Sequence, residues 1–370
     1  MTEAASTAEP AIESLAGDGF VGAIDLGGTK ILCAIVSPIG QIVARAKKKS
    51  TRRGSEPTAV IDRIADCLRE AASVAGVPVD QLRAVGIGAP GPVVQGTGVV
   101  VVAVNLGWRD VPLKAELEKR LGVTVGVDND VRVAVLAEHV AGAGRGTQSM
   151  IGIWPGTGVG GGVIVNGELV TGANNAAGEI GHMTIKAGGP LCACGGKGHL
   201  ESLASRTAIV RDIVEAIEKG KKSALTAIVK GDVAKSTTSD LAEALRLGDK
   251  IVIDAINRSA KYLAIGIASL ANVLNPEAIV LGGGLVQGLG DSFVRQVAKN
   301  VEGRPMLAAT QPLRIIQSTL GDDAGIIGSA LVARRQPTGR PVEHSAERAK
   351  LRRGMPRVPT AAVAGAEDHG

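Results

Sequence analysis

Two stretches of the chain repeat one pattern of apolar and polar positions. Residues 21 to 43 read VGAIDLGGTKILCAIVSPIGQIV and residues 151 to 170 read IGIWPGTGVGGGVIVNGELV. Each is an apolar strand, a glycine loop, a second apolar strand, a turn and a third strand. A unit that returns after about 130 residues predicts two domains of similar topology. Between the copies, residues 57 to 74 carry Ile61, Ile64, Ala65 and Leu68 on one helical stripe, and Ala84 to Ile87 form a buried-strand run. After the second copy the pattern predicts a helix from about 200 to 219, a long one from about 250 to 273, and a strand, AIVLGGG, at 278 to 284. Strands alternating with helices predict an α/β protein with parallel sheets in both halves. The expected domains are 20–127 and 128–322, with a helix near 323–335 packing back onto the first. Residues 1–19 and 336–370 lack apolar periodicity and are expected to be disordered tails.

Composition narrows the class. With 370 residues, 45% of them hydrophobic, and 51 glycines, the chain can bury two cores and make many tight turns. No apolar run reaches the ~18 residues of a membrane span, and the N-terminus has neither the basic start nor the apolar stretch of a signal peptide. A cytoplasmic protein without a membrane partner is expected. The net charge of +5 hides opposed tails: four acids and no base in 1–19, eight bases against four acids in 334–370. The body is only mildly basic, and five aromatics provide no stacking platform, so no nucleic-acid partner is expected. Of the four cysteines, Cys33, Cys67, Cys192 and Cys194, the last two are spaced for a metal rather than for a mutual disulfide.

Three glycine runs end strands. In Asp25-Leu-Gly-Gly-Thr-Lys30, Gly27 and Gly28 let the backbone present N–H groups to an anion, and Thr29 adds a hydroxyl. Alone, such a turn reads more often as a plain hairpin, and it matches neither the dinucleotide nor the P-loop fingerprint. A second run, Gly156-Thr157-Gly158 through Gly162, and a third, Gly282-Gly283-Gly284, point to a nucleotide held at strand ends. Asp25 suits a Mg²⁺ ion bound through water.

Two further segments carry side-chain chemistry. His182, Cys192, Cys194 and His199 fall within 18 residues and form a Cys₂His₂ set suited to a closed structural zinc site. Glu179 and Glu201 flank these ligands and can accept hydrogen bonds from sugar hydroxyls. Val127-Asp-Asn-Asp130 ends a strand and starts a helix, so one of Asp128, Asn129 and Asp130 can cap while another acts as a base; residue type alone leaves Asp128 and Asp130 equal. Asn105 follows an apolar stretch, and Trp108 is expected to pack between strand and helix.

In order, DLGGTK, GIGAPGPV, NLGW, the DND strand end, GTGVGGGVIVNGELVTG, GEIGH and CACGGKGHLES resemble the ROK family of sugar kinases and sugar-responsive repressors, over about residues 20 to 335. The resemblance implies a two-domain actin-like ATPase (ribonuclease H-like) fold with an interdomain cleft. It implies ATP-dependent phosphorylation of a hexose, glucose first, with fructose, N-acetylmannosamine, N-acetylglucosamine or allose as alternatives, or else a non-catalytic sugar-binding regulator. It also implies Asp130 as catalytic base, and Asn105, Asn129, Glu179, His182 and Glu201 as sugar contacts. ATP would lie on Gly27, Gly28, Thr29, Lys30, Gly156, Thr157, Gly158 and Gly282 to Gly284, and the assembly would be a homodimer or homotetramer. Three departures stand out: His199 where the family usually has cysteine, Arg132 where it has a small residue, and no room before the first strand for a helix-turn-helix.

Overall fold

The computed structural model describes residues 11–50, 56–311 and 313–337. Three consecutive antiparallel strands open the first sheet: β1 (Val21–Leu26), β2 (Lys30–Val36) and β3 (Ile42–Lys49). Helix α1 (Pro57–Ala75) begins on Pro57 and stops at Gly76, which takes the left-handed conformation at φ 67°. Its stripe of Ile61, Ile64, Ala65 and Leu68 is buried against β2 and β3. Burying each of the larger side chains contributes about 1.5–3 kcal/mol. The helical crossover brings β4 (Ala84–Ala89) in parallel beside β1. A small antiparallel sheet of β5 (Val93–Val94), β6 (Val99–Ala103) and β7 (Trp108–Val111) follows. Then come α2 (Leu113–Leu121), β8 (Val125–Asn129) parallel to β4, and α3 (Asp130–Ala141). Trp108 is buried in the core of this half.

The second half begins with the antiparallel strands β9 (Met150–Pro155), β10 (Val159–Val165) and β11 (Glu168–Leu169). Five helices follow: α4 (Glu201–Ala204), α5 (Arg206–Glu218), α6 (Leu225–Val229), α7 (Thr238–Arg246) and α8 (Lys250–Leu274). Strand β12 (Ala278–Leu281) lies parallel to β9, and after α9 (Gly283–Leu289) and α10 (Asp291–Val301) the strand β13 (Arg314–Gln317) adds beside it. The orders β3-β2-β1-β4-β8 and β11-β10-β9-β12-β13 are the same arrangement twice, which is the physical form of the repeat in the sequence. Helix α11 (Ala324–Arg334) packs on β1, β4 and α3 of the first half. An added Cβ on Gly86 would stand 1.9 Å from the carbonyl oxygen of Ser329, so only glycine lets α11 sit this close to β4.

The structure departs from the sequence expectations at several points. Both sheets are mixed rather than parallel, because in each the first three strands are joined by short turns that reverse the chain. The helix expected over 200–219 breaks at Ser205, whose hydroxyl accepts the N–H of Ala208 (3.1 Å) and caps α5. The strand expected to reach residue 284 ends at Leu281. The boundary expected between 127 and 128 falls inside β8, and α3 packs against β10 as well as α11. Residues 11–19 are not a tail: Leu15 is fully buried, and the guanidinium of Arg334 donates to the carbonyls of Leu15, Asp18, Gly19 and Ser37 at 2.8–2.9 Å. Residues 1–10 and 338–370 lie outside the described residues.

The chain crosses between the sheets twice, from α3 to β9 and from β13 to α11, and one buried carboxylate ties both crossings. Glu138 is 0% exposed and accepts the N–H groups of Ala143 (2.8 Å), Thr319 (3.0 Å) and Leu320 (2.8 Å). Glu138→Ala removes the acceptor of these three part-buried N–H groups, and each one left unmet costs about 1–3 kcal/mol. Urea unfolding should therefore show a loss of about 3 kcal/mol or more; a change under about 1 kcal/mol would mean that the two crossings hold without it.

Candidate active site

Three positions stand level at the carboxyl ends of the parallel strands: Asp25 of β1 pairs in register with Gly88 of β4, and Gly88 with Asp128 of β8. Helix α3 starts over them, and an added Cβ on Gly88 would stand 3.4 Å from the Cα of Asp130. Asn129 is the N-cap: its Oδ1 accepts from Val131 N (3.0 Å) and Arg132 N (3.1 Å), and its Nδ2 donates to Gly91 O (3.2 Å) and Asp130 Oδ1 (3.0 Å). Asp130 Oδ1 also accepts from Val131 N (2.9 Å), so both contacts fall on one carboxylate oxygen. Burial, with the nearby Asp25 charge adding, pushes Asp130 up to about 7 against the pull of the Val131 and Asn129 hydrogen bonds.

Asp128 is occupied differently. Its Oδ1 accepts from Asn129 N (2.7 Å), and its Oδ2 lies 3.4 Å from Nη2 of Arg132. It lines a cavity of about 290 Å³ with Gln95, Lys114, Asn175 and Arg335, and Asp130 does not. Burial raises Asp128 above the usual carboxylate range, and the Arg132 charge opposes this. The two acids that residue type could not separate thus have different surroundings.

The glycine runs sit at the ends of both sheets. In the first, Gly27 N donates to Lys30 O (2.9 Å), and an added Cβ on Gly28 would stand 3.1 Å from the Cβ of Asn105, so Asn105 lies against this turn. Lys30 Nζ pairs with Asp322 Oδ2 at 3.1 Å, and Asp25 abuts Gly325 at the start of α11. Burial raises Asp25, with Lys30 opposing and Asp322 adding. In the second run Arg206 Nη2 donates to Thr157 Oγ1 (2.9 Å) and Arg206 N to Gly156 O (2.8 Å). A Cβ on Gly156 would be 3.9 Å from Gly284 N, so the second and third runs adjoin. Gly283 needs its freedom, at φ 80°, to turn from β12 into α9. Asp322 and Arg206 carry no motif, and reading the sequence missed both.

The Cys/His segment closes on itself. The ligand atoms of His182, Cys192, Cys194 and His199 all lie within 4.8 Å of one another. Cys194 Sγ is 3.2 Å from His199 Nδ1, and Cys192 Sγ is 3.8 Å from His182 Nδ1. Two thiols and two imidazoles at roughly the edge lengths of a small tetrahedron form a group that can hold a metal ion. Burial pushes the Cys192 thiol up to about 12, and a bound metal would take the place of that proton. Glu179 Oε2 lies 3.8 Å from His182 Nε2. Glu201 joins this cluster to the second glycine run: Oε1 accepts from Cys192 Sγ (3.5 Å) and Oε2 from Val159 N (3.0 Å), and a Cβ on Gly158 would strike Oε2 at 2.2 Å.

The ROK family profile matches residues 21–336. A glucokinase from Halalkalibacterium halodurans is 39% identical over 320 residues, 86% of this chain and 95% of the relative. The crystal structure of a ROK family glucokinase from Streptomyces griseus in complex with glucose and AMPPNP is 31% identical, covers 86% of this chain and 100% of its own, and superposes with a TM-score of 0.71. A putative xylose repressor from a Caldicellulosiruptor species is 30% identical over 310 residues, 84% of this chain and 77% of the relative. The two repeated mixed sheets are those of the actin-like ATPase fold. The chain belongs to the ROK family.

Proposed function

We propose that this chain is a glucokinase that transfers the γ-phosphoryl group of ATP to O6 of glucose. The observation that carries the reading is Asp130: a half-buried carboxylate at the carboxyl edge of the first sheet, pushed up to about 7, with its hydrogen bonds from Asn129 and Val131 on Oδ1. Oδ2 is then the oxygen that takes the proton from the sugar hydroxyl as it attacks phosphorus. Relatives named as glucokinases, and a structural neighbour described with glucose and an ATP analogue, support the same substrates here.

Asn105, Asn129, Glu179, His182 and Glu201 are the sugar contacts in this reading. The turn Gly27, Gly28, Thr29 and Lys30 and the loop Gly156, Thr157 and Gly158 receive the phosphates, while Gly282 to Gly284 lie against the adenosine. Asp25 would hold Mg²⁺ through water, and the fit is that of a hard oxygen donor with Asp322 close by. When bound, Mg²⁺ neutralises charge on the β- and γ-phosphates. The closed Cys₂His₂ set fits Zn²⁺ and has no open position, so zinc would order the loop carrying His182 and brace Glu201. Use of ATP and glucose as substrates supports a cytoplasmic enzyme. The exposed apolar side chains of Val273 (78%) and Met306 (68%) support a homodimer or homotetramer, which light scattering tests.

A coupled ADP-release assay over a sugar panel tests the function. We expect glucose to turn over at roughly 1–100 s⁻¹ and to exceed fructose, N-acetylmannosamine, N-acetylglucosamine and allose in kcat/KM. Sugar binding without turnover would instead favour the regulator reading, and turnover with polyphosphate alone would reassign the donor.

A further inference from the structure

Arg132 stands where a small residue is usual, and it does not lie idle. It is only 3% exposed on the first turn of α3, two residues after Asp130. Its Nη1 donates to the main-chain carbonyl of Asn175 (2.9 Å), and its Nη2 lies 3.4 Å from Asp128 Oδ2. Asn175 itself is buried, takes the left-handed conformation at φ 64°, and donates from Nδ2 to Val93 O (3.0 Å). The same loop is closed by Ala177 N to Thr171 O (3.1 Å), and Gly178 packs against Gly161 and Gly162 of β10. Glu179 follows at once. The loop is therefore pinned at one end to the first half of the molecule and at the other to the second.

We propose that Arg132 is a positioning residue for the sugar site, clasping the 171–178 loop to the start of α3 so that Glu179 and Asp130 are set at a constant separation before the sugar arrives. The proposal rests on the reading of Glu179 as a sugar contact. A buried guanidinium is expensive unless its donors are met, and here one donor is spent on the loop backbone and the charge on Asp128. Nε and Nη2 have no hydrogen-bond partner among the described residues, so the Nη1 bond to Asn175 and the charge contact with Asp128 are what hold this side chain in place. A loop ordered in advance costs the sugar less on binding, which appears in affinity and not in the chemical step.

The test compares wild type with Arg132→Met and Arg132→Lys, measuring glucose Kd by calorimetry, glucose and ATP KM, kcat and thermal midpoint. For Arg132→Met we expect glucose Kd and KM to rise at least tenfold, with kcat at saturating glucose within threefold and ATP KM unchanged; Arg132→Lys should recover part of the affinity. A folded Arg132→Met with glucose Kd within twofold of wild type overturns the clasp, as does a loss of kcat at unchanged Kd. Should Arg132→Met not fold, Arg132→Lys decides alone: a two- to fivefold rise in Kd supports the clasp and no rise overturns it. Because Kd is read without turnover, a wild-type chain inactive on glucose would overturn the kinase reading while the Kd ratio still judges the clasp.

Discussion

Asp130→Asn is expected to lower kcat by roughly 10²–10⁴, the range a general base contributes, while glucose Kd stays within about threefold. The amide keeps the size and the hydrogen bonds on its oxygen, but it cannot accept the hydroxyl proton. In the wild type the base works only when ionised, so log(kcat/KM) should climb with unit slope at acidic pH and level off through an apparent pKa of about 7. The same shift has a stability consequence of opposite sense. Asp130 binds its proton more tightly folded (about 7) than unfolded (3.8), so its contribution is fully present below 3.8 and is lost as pH rises through about 7. At pH 8 the ionised carboxylate costs up to about 4 kcal/mol. Asp130→Asn should then be more stable than wild type at pH 8, with the gain vanishing near pH 4. Near-full activity in the variant, or a flat pH profile in wild type, would remove Asp130 from the role.

The second large effect concerns the metal. The purified chain should contain about one zinc per subunit, and Cys194→Ser should lose it together with several degrees of thermal midpoint. Metal content is the primary readout. Glucose KM should rise at least tenfold, for a reason visible in the geometry: Glu201 touches Cys192 with one oxygen (3.5 Å) and the backbone N–H of Val159, just past Gly158, with the other (3.0 Å). Losing the cluster frees that carboxylate and, with it, the edge of the second glycine loop. His199→Cys should keep the metal, since thiolate and imidazole both suit it. A chain that carries no metal after chelator-free purification, yet binds glucose normally, would sink the site.

What could be read early was local. The repeat at 21–43 and 151–170 was legible because strand, tight turn and strand are written in neighbouring residues. Helix α1 was legible because its stripe of Ile61, Ile64, Ala65 and Leu68 recurs at helical spacing in neighbouring turns. The Cys/His group that can hold a metal ion was legible because 18 residues of glycine-rich loop hold all four side chains. The break at Ser205 was not, because a single serine interrupts an otherwise continuous helical pattern and only its hydroxyl on Ala208 N reveals the cap. Nor could Leu15 be assigned to the core, since the side chain that secures its segment is Arg334, more than 300 positions away.

By itself, then, the sequence determined the two repeated α/β units, the glycine runs that end their strands and the residue types of the Cys/His loop, since each depends on short-range periodicity or spacing. The tertiary structure decided which carboxylate has which surroundings. Asp128 and Asp130 are two residues apart and chemically alike. Asp128 is held by Arg132, which the loop at Asn175 anchors, and Asp130 is turned onto α3 by the Asn129 cap and buried beside Asp25 from another strand. Arg132 and Asn129 are near neighbours in the chain, but Asn175 and Asp25 come from distant parts of it, and burial and charge depend on what surrounds a group in space, which residue order alone does not state.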